Sequence, residues 1–343
     1  MGKQDTDDLI DRIGLVEAAK QRCVAGVLFT YRCSINCRHC CFGCAGDRPD
    51  VAMTARQCAD ALGMLHETGR VVHVAGGEAM LYWARLSEAV RVAHAEGNSP
   101  HFIETNCSFA VNEDVVRERL TFLAAHGLKG ILASADPFHQ EFVPPERFIL
   151  VRRIAQEVFG ARNFYGSHRP DAEIEHLQAI ARDDALRRDY VRAYPPVIVG
   201  TAHAKLAQYL DGVAPQDPNL PTRGWRRGKA KGEKACRAEF AAETMWELHI
   251  DPYGNIQTNC GMILGSVARV RPARLLADGP ENANRFVQAV AKEGALGLAD
   301  LARREHGFMP PDQVTQTCEL CYLARRFLRR FHPDVFGPAE VYM

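Results

Sequence analysis

The chain has 343 residues, of which 47% are hydrophobic, so it can form one large domain or a domain with a smaller extension. Its 42 basic and 42 acidic residues give a formal net charge of zero, which argues against nucleic acid or an anionic membrane as a partner. The charged N-terminus lacks the apolar core of a signal peptide, and no apolar run reaches about 18 residues, so we expect a cytoplasmic protein without a membrane segment.

The first unusual stretch is TYRCSINCRHCCFGC (30–44), which holds five of the twelve cysteines. Cys33, Cys37 and Cys40 are spaced C-x3-C-x2-C, which predicts a loop around a metal. A [4Fe–4S] cluster normally takes four thiolates, so three would leave one iron open for chemistry. Spacing alone leaves a zinc knuckle equally open, with His39, Cys41 or Cys44 as the fourth ligand.

Strands and helices then alternate, which predicts βαβ units and a parallel sheet. The predicted strands are residues 71–75, 101–105 and 129–134, with weaker candidates at 162–166 and 197–200, and the predicted helices are residues 54–69, 81–97, 112–127 and 144–160. Sites in such folds form at the carboxyl ends of the strands. We therefore expect the loops GGEAM, TNCSF and ADPFHQEF, each of which follows a strand, to converge on one mouth.

Three residues in these loops are candidate catalytic groups. Asp136 and His139 are placed to act as acid and base, although an N-cap and turn before the next helix explain them equally well. Cys107 is a candidate hydrogen-atom donor or ligand, with a small packed side chain as the alternative.

Residues 211–236 break the pattern, because they are rich in proline, glycine, lysine and arginine. The functional interpretation is a flap that binds an anionic substrate through arginine forks and a stacking indole, with Arg223, Trp225, Arg226 and Arg227 as the candidate residues. The alternative is a solvated loop.

Four further cysteines, Cys236, Cys260, Cys318 and Cys321, could form a closed four-thiolate site. Two of them belong to a C-x-x-C pair, and a third ends a predicted hairpin at 245–260. In isolation this set favours structural zinc.

The motifs CSINCRHC (33–40) and AGGEAML (75–81), with TN at 105–106 and SAD at 134–136, together resemble the radical S-adenosylmethionine (radical SAM) superfamily over residues 24–200. The resemblance implies an α/β fold with a partial (βα)6 TIM-like barrel. It implies that Cys33, Cys37 and Cys40 hold a [4Fe–4S] cluster whose open iron binds S-adenosylmethionine. It also implies a group of cofactor-binding residues, namely His39, Gly76, Gly77, Glu78, Thr105, Asn106 and Ser134.

The segment IDPYGNIQTNC (250–260) with the late CELC (318–321) resembles the twitch and SPASM extensions of that superfamily. This second resemblance implies that the four later cysteines hold an auxiliary [4Fe–4S] cluster. The expected organisation is a lead-in (1–23), a barrel (24–214), a basic linker or flap (215–235) and a twitch-like auxiliary-cluster region (236–343).

The resemblance implies an oxidoreductase or lyase that cleaves S-adenosylmethionine to a 5′-deoxyadenosyl radical and abstracts a hydrogen atom from a substrate. We expect a small substrate, with an anionic group as one option, from specialised biosynthesis, and an electron donor such as flavodoxin or ferredoxin. Maturation of a ribosomal peptide or protein is one alternative. A zinc-stabilised binding protein is an alternative from another class.

Overall fold

The computed structural model describes residues 3–166, 174–210, 233–311 and 314–342. The chain divides into two compact units. The first contains Met1–Cys37, Ala45–Arg187 and Ile250–Pro252, and the second contains Arg38–Cys44, Arg188–His249 and Tyr253–Met343. The boundaries expected on either side of the basic segment fall in or beside residues outside the described ranges, so they stay a prediction.

The first unit is built on a parallel sheet of five strands in the order β5-β4-β3-β2-β1. The strands are β1 (Val24–Leu28), β2 (Val71–Ala75), β3 (Phe102–Thr105), β4 (Gly130–Ala133) and β5 (Phe164–Gly166). Every residue of β1 and β2 is buried, as expected of central parallel strands that helices cover on their faces. The α/β class and the parallel sheet of the predicted partial barrel are confirmed.

In the first unit, α1 (Lys3–Ile13) and α2 (Leu15–Arg22) precede β1. The helices that follow strands are α3 (Ala55–His66), α4 (Trp83–Ala95), α5 (Glu113–Ala125), α6 (Pro137–Gln140), α7 (Pro145–Phe159) and α8 (Ile174–Arg182). Two helices begin at side-chain caps at the residues where the predicted helices 54–69 and 112–127 start. The Thr54 hydroxyl accepts from the Gln57 peptide N–H at 3.2 Å in a capping box, and Asn112 Oδ1 accepts from the Val115 peptide N–H at 2.9 Å. These caps explain why the elements start where the sequence indicates.

Helix α9 (Asp184–Ala193) begins in the first unit and continues into the second from Arg188. The second unit also contains α10 (Thr201–Lys205), α11 (Glu233–Ala238), α12 (Pro272–Asp278), α13 (Arg285–His306) and α14 (Thr317–Leu328). Its strands β6 (Glu247–Ile250), β7 (Asn255–Thr258) and β8 (Ile263–Ser266) are neighbours in that order, and β7 and β8 run antiparallel. The predicted hairpin at 245–260 is therefore confirmed.

The predicted strand at 197–200 is wrong. Pro195 and Pro196 precede it and have no N–H to donate, and the N–H of Ile198 bonds the Gln316 side chain at 3.0 Å rather than a strand. Gly200, at φ +54, then turns the chain into α10. The parallel sheet of the first unit consequently ends at β5 within the described residues.

No helix in the described parts of the chain is both long enough and apolar enough to cross a bilayer.

Candidate functional site

The first cysteine loop follows the carboxyl end of β1. The sequence predicts a cofactor site at this end of the sheet. Cys33 and Cys37 are 5% and 7% exposed. The Cys33 peptide N–H donates to the Ala45 carbonyl at 3.1 Å, and the Ala45 N–H donates to the Tyr31 carbonyl at 3.3 Å. These hydrogen bonds join the two ends of the loop, so the cysteines lie on a loop whose ends are held together.

Residues Arg38–Cys44 of the loop belong to the second unit. Cys40 is half-buried, and the Cys44 peptide N–H donates to its sulfur at 3.3 Å. Cys44 itself is buried, as expected of a small residue packed in the loop. Burial raises the pKa of the neighbouring Cys41 thiol, and Cys40 and Glu247 raise it further. His39, the predicted adenine contact, is half-buried in the same segment.

The two glycines after β2 pack against the backbone that leads to Cys33. The Gly77 N–H donates to the Thr30 carbonyl at 2.7 Å, and a Cβ on Gly77 would lie 2.0 Å from the Arg32 carbonyl oxygen. Gly76 has a φ of +124, and a Cβ there would lie 2.7 Å from the Thr30 oxygen. The close approach that the structure shows is to the cysteine loop, and the predicted role of these glycines in binding the cofactor stays a prediction.

Glu78, the third residue of the motif, is a buried anchor and only 2% exposed. Its carboxylate accepts from the Met80 N–H at 3.1 Å, the Thr105 hydroxyl at 3.0 Å and the Asn106 N–H at 2.8 Å. Burial raises its pKa to about 7, although these hydrogen bonds and Arg119 act in the opposite direction. Glu78 therefore ties the end of β2 to the end of β3.

Asn106 links the end of β3 to the first cysteine. Its Nδ2 donates to the Cys33 sulfur at 3.4 Å and to the Ser34 hydroxyl at 3.2 Å, while its Oδ1 accepts from the Ser108 N–H at 2.9 Å. The last bond fixes which end of the amide faces the sulfur. An N–H donor at a ligand sulfur stabilises its thiolate, which is a contact that residues around metal clusters commonly supply.

The three loops predicted to converge do line one cavity of about 580 Å³ in the first unit. Its lining includes Met80 from the first loop, Ser108 from the second, Phe142 from the third, and Ser34 from the cysteine loop. The volume lies in the range of small-molecule sites, about 300–1,000 Å³. The remaining lining residues are Ile35, Leu81, Phe109, Val111, Val115, Arg119, Val143 and Arg147.

Two arginines in this lining, Arg119 on α5 and Arg147 on α7, were missed by the sequence analysis. Arg119 donates to the Met80 carbonyl at 3.2 Å and lies 4.8 Å from the Trp83 ring centroid, and Arg147 donates to the Ser108 carbonyl. Charged helices carry many arginines, so the pattern alone gives no signal that separates these two.

Asp136 is an N-cap, one of the two interpretations that the sequence left open, and the acid–base role of Asp136 and His139 stays a prediction. Asp136 Oδ1 caps α6 by accepting from the Phe138 N–H at 2.9 Å, and its Oδ2 lies 2.7 Å from His139 Nδ1. Such a carboxylate–imidazole pair favours the proton on Nδ1 and leaves Nε2 as the basic nitrogen. Ser134 lies at the same edge of the sheet, where its N–H donates to the Thr105 carbonyl at 3.0 Å.

Cys107 is fully buried and has a φ of +65, which is uncommon for a residue with a side chain. Burial raises the pKa of its thiol well above the usual value, and the nearby Glu78 carboxylate adds to the shift. Its sulfur is therefore a neutral thiol closed off from solvent.

The second cysteine set comes together in the second unit. Cys236 lies on α11, Cys260 follows β7, and Cys318 and Cys321 lie in the first turns of α14. Burial raises the pKa of Cys236, and the thiols of Cys321, Cys318 and Cys260 raise it further. Four thiols from three segments suit a tetrahedral sulfur site for zinc or an iron–sulfur cluster.

Arg223, Trp225, Arg226 and Arg227, the predicted substrate residues, lie outside the described residues.

Comparisons with known proteins identify one family. Residues 27–158 match the model of the Radical SAM superfamily. No curated protein matches the chain. Among solved structures, the crystal structure of BtrN in complex with AdoMet and 2-DOIA aligns with 82% of this chain and 91% of its own, at 12% sequence identity and a TM-score of 0.45. A likeness of that size says nothing about the substrate here.

Proposed function

Because residues 27–158 belong to the radical SAM superfamily, whose members are enzymes that use a [4Fe–4S] cluster and S-adenosylmethionine, we propose that this chain abstracts a hydrogen atom from a small anionic molecule. The observation that carries the proposal is that the family match includes the C-x3-C-x2-C loop and the three strand-end loops that line one cavity. In the proposal Cys33, Cys37 and Cys40 hold the cluster. When bound, the cluster and S-adenosylmethionine supply a 5′-deoxyadenosyl radical.

The chain's own residues prepare the cysteine loop for this cofactor. Asn106 donates to the Cys33 sulfur, and Glu78 holds the Asn106 backbone in place, which supports Cys33 as a thiolate. Gly76 and Gly77 let the end of β2 reach the loop. We propose that Thr105, Ser134 and His39 complete the binding of S-adenosylmethionine.

The substrate class follows from the cavity. Each of Arg119 and Arg147 has five guanidinium N–H donors and uses one on a backbone carbonyl, so others are available for a carboxylate or phosphate. Most of the other lining residues are apolar, and the two arginines are the charged residues of this lining. Arg223, Trp225, Arg226 and Arg227 would add to anion recognition.

The Asp136–His139 pair would move a proton during the reaction. Asp136 holds the imidazole by its Nδ1, so Nε2 is the atom that would accept a proton from the substrate. We assign Cys107 a supporting role in the loop, because its neutral thiol is closed off from solvent.

Cys236, Cys260, Cys318 and Cys321 would hold an auxiliary [4Fe–4S] cluster. A site closed by four thiolates serves electron transfer or structure. Transfer of the substrate's electron to this cluster would make the net reaction a two-electron oxidation. A flavodoxin or ferredoxin would supply the reducing electron for the first cluster.

The test is anaerobic reconstitution with iron and sulfide, followed by reductant and S-adenosylmethionine. We expect 5′-deoxyadenosine, and none above background from the Cys37→Ala variant. Iron near eight per chain is expected for two [4Fe–4S] clusters, roughly four for each. A colourless protein that contains zinc, without iron or sulfide, would instead support the zinc-stabilised binding protein.

A further inference from the structure

A buried arginine lies on the same helix face as two of the four later cysteines. Arg325 is on α14, four residues after Cys321 and seven after Cys318, a spacing that puts all three on one face. Its side chain is 1% exposed. Arginine keeps its charge at any pH a protein meets, so this position holds a permanent buried cation.

The rest of the described chain does not neutralise this cation. No carboxylate of the described residues lies within ion-pair distance of Arg325. Its Nη1 donates to the Cys260 carbonyl at 2.9 Å, and its Nε is buried without a hydrogen-bond partner. The guanidinium lies 5.9 Å from the ring centroid of Tyr342, whose hydroxyl is also buried and unpartnered.

An isolated buried cation is destabilising by several kcal/mol unless an anion compensates it. Among the described residues, the groups next to Arg325 that can supply negative charge are Cys318 and Cys321 on its own helix, and Cys260, whose carbonyl it binds. Four thiolates around zinc or a [4Fe–4S] core leave a net negative charge on the metal group. The negative charge of that metal group would therefore compensate the buried positive charge of Arg325.

We propose that Arg325 is the buried counter-cation of the metal group held by Cys236, Cys260, Cys318 and Cys321, and that it raises the reduction potential of the auxiliary cluster. The proposal rests on the proposed function, in which these four cysteines hold a cluster. A nearby positive charge stabilises the more negative, reduced state, so removing it makes the cluster harder to reduce.

The test compares Arg325→Met and Arg325→Lys with Arg326→Met, which removes one positive charge from an exposed position on the same helix. The full chain with Cys33, Cys37 and Cys40 changed to alanine serves as the background, so that the auxiliary site alone is observed. Each reconstituted protein is titrated against electrode potential, and the reduced cluster is followed by electron paramagnetic resonance.

We expect Arg325→Met to lower the ratio of reduced to oxidised cluster at a fixed potential by about tenfold, or about 59 mV for one electron. Arg325→Lys keeps the charge and should restore most of that shift, and Arg326→Met should leave the potential unchanged. An equal shift in Arg325→Lys and Arg325→Met, or none in either, would overturn the proposal.

Two other outcomes are also decisive. In the first, Arg325→Met loses its iron. If Arg325→Lys then keeps its iron, the positive charge is what the site needs, and the proposal is supported. If both variants lose their iron, the side chain acts only by packing, and the proposal is overturned. If the background variant binds zinc and no iron, the auxiliary cluster of the proposed function fails. The role of Arg325 is then measured as zinc retention against a chelator, with the same order of variants expected.

Discussion

The contact between Gly77 and the cysteine loop makes Gly77→Ala the sharpest test of how the site is built. The new Cβ would lie 2.0 Å from the Arg32 carbonyl oxygen and 3.0 Å from the Cys33 nitrogen, whereas ordinary contact begins near 3.4 Å. The Arg32 backbone would therefore have to move by roughly 1.4 Å, the difference between 3.4 and 2.0 Å. Metal sites tolerate errors of only about 0.2 Å in ligand distances, so Cys33 would no longer reach its iron.

We expect Gly77→Ala to lose about half of the iron, the share of one of two [4Fe–4S] clusters, and about 1–3 kcal/mol of unfolding free energy from overpacking. Iron and sulfide are counted after anaerobic reconstitution, and stability is measured by urea unfolding. Gly46→Ala is the matched control in the same loop, because its Cβ would meet only the Cys33 carbonyl oxygen, at 3.4 Å. Full iron and unchanged stability in Gly77→Ala would refute the reasoning.

Three further predictions address single side chains. Asn106→Leu removes the hydrogen-bond donor at the Cys33 sulfur. The reduction potential of the first cluster should therefore fall by an amount equivalent to about 1.5 kcal/mol. An unchanged midpoint in a potentiometric titration would contradict this. Glu78 binds its proton more tightly in the folded chain, because burial raises its pKa from 4.5 to about 7. Unfolding free energy should therefore fall as the pH rises from about 4.5 to 7, by about 3 kcal/mol in total, and urea midpoints of Glu78→Gln should vary less with pH over that window. Cys318→Ser should lose about four irons while the first cluster keeps its spectrum, and loss of all iron would show that the two sites are not independent.

The sequence predicted those parts of the fold that depend on nearby residues. Thr54 and Asn112 cap helices within three residues of themselves, and the apolar run at 71–75 is a buried strand whatever its neighbours are. The segment at 197–200 failed because two prolines and a side-chain bond from Gln316 override its β propensity. Such a bond joins residues more than a hundred positions apart, which no local pattern contains.

In the candidate site, too, the sequence predicted the features that depend on nearby residues and missed those that depend on the folded structure. Cysteine spacing predicts both thiol sets, because the spacing of candidate ligands can be read from the chain itself. The contact of Asn106 with Cys33 depends on β3 and β1 lying on either side of β2. The position of the cavity arginines depends on which face of α5 and α7 is turned inward. In the sequence, Arg325 is one of several charged residues on a basic helix, and only its burial in the structure distinguishes it from the others.

These contacts give the GGE and TN motifs a structural role that does not depend on a bound ligand. Glu78 holds Thr105 and Asn106, Asn106 holds the Cys33 sulfur, and Gly77 holds the backbone before Cys33, so the motifs form one connected support for the first cysteine. A substitution at Glu78 would therefore weaken cluster binding even if the carboxylate never touched S-adenosylmethionine. Iron content and cofactor affinity separate the two roles: a supporting residue changes both, whereas a residue that only binds the cofactor changes affinity and leaves the iron in place.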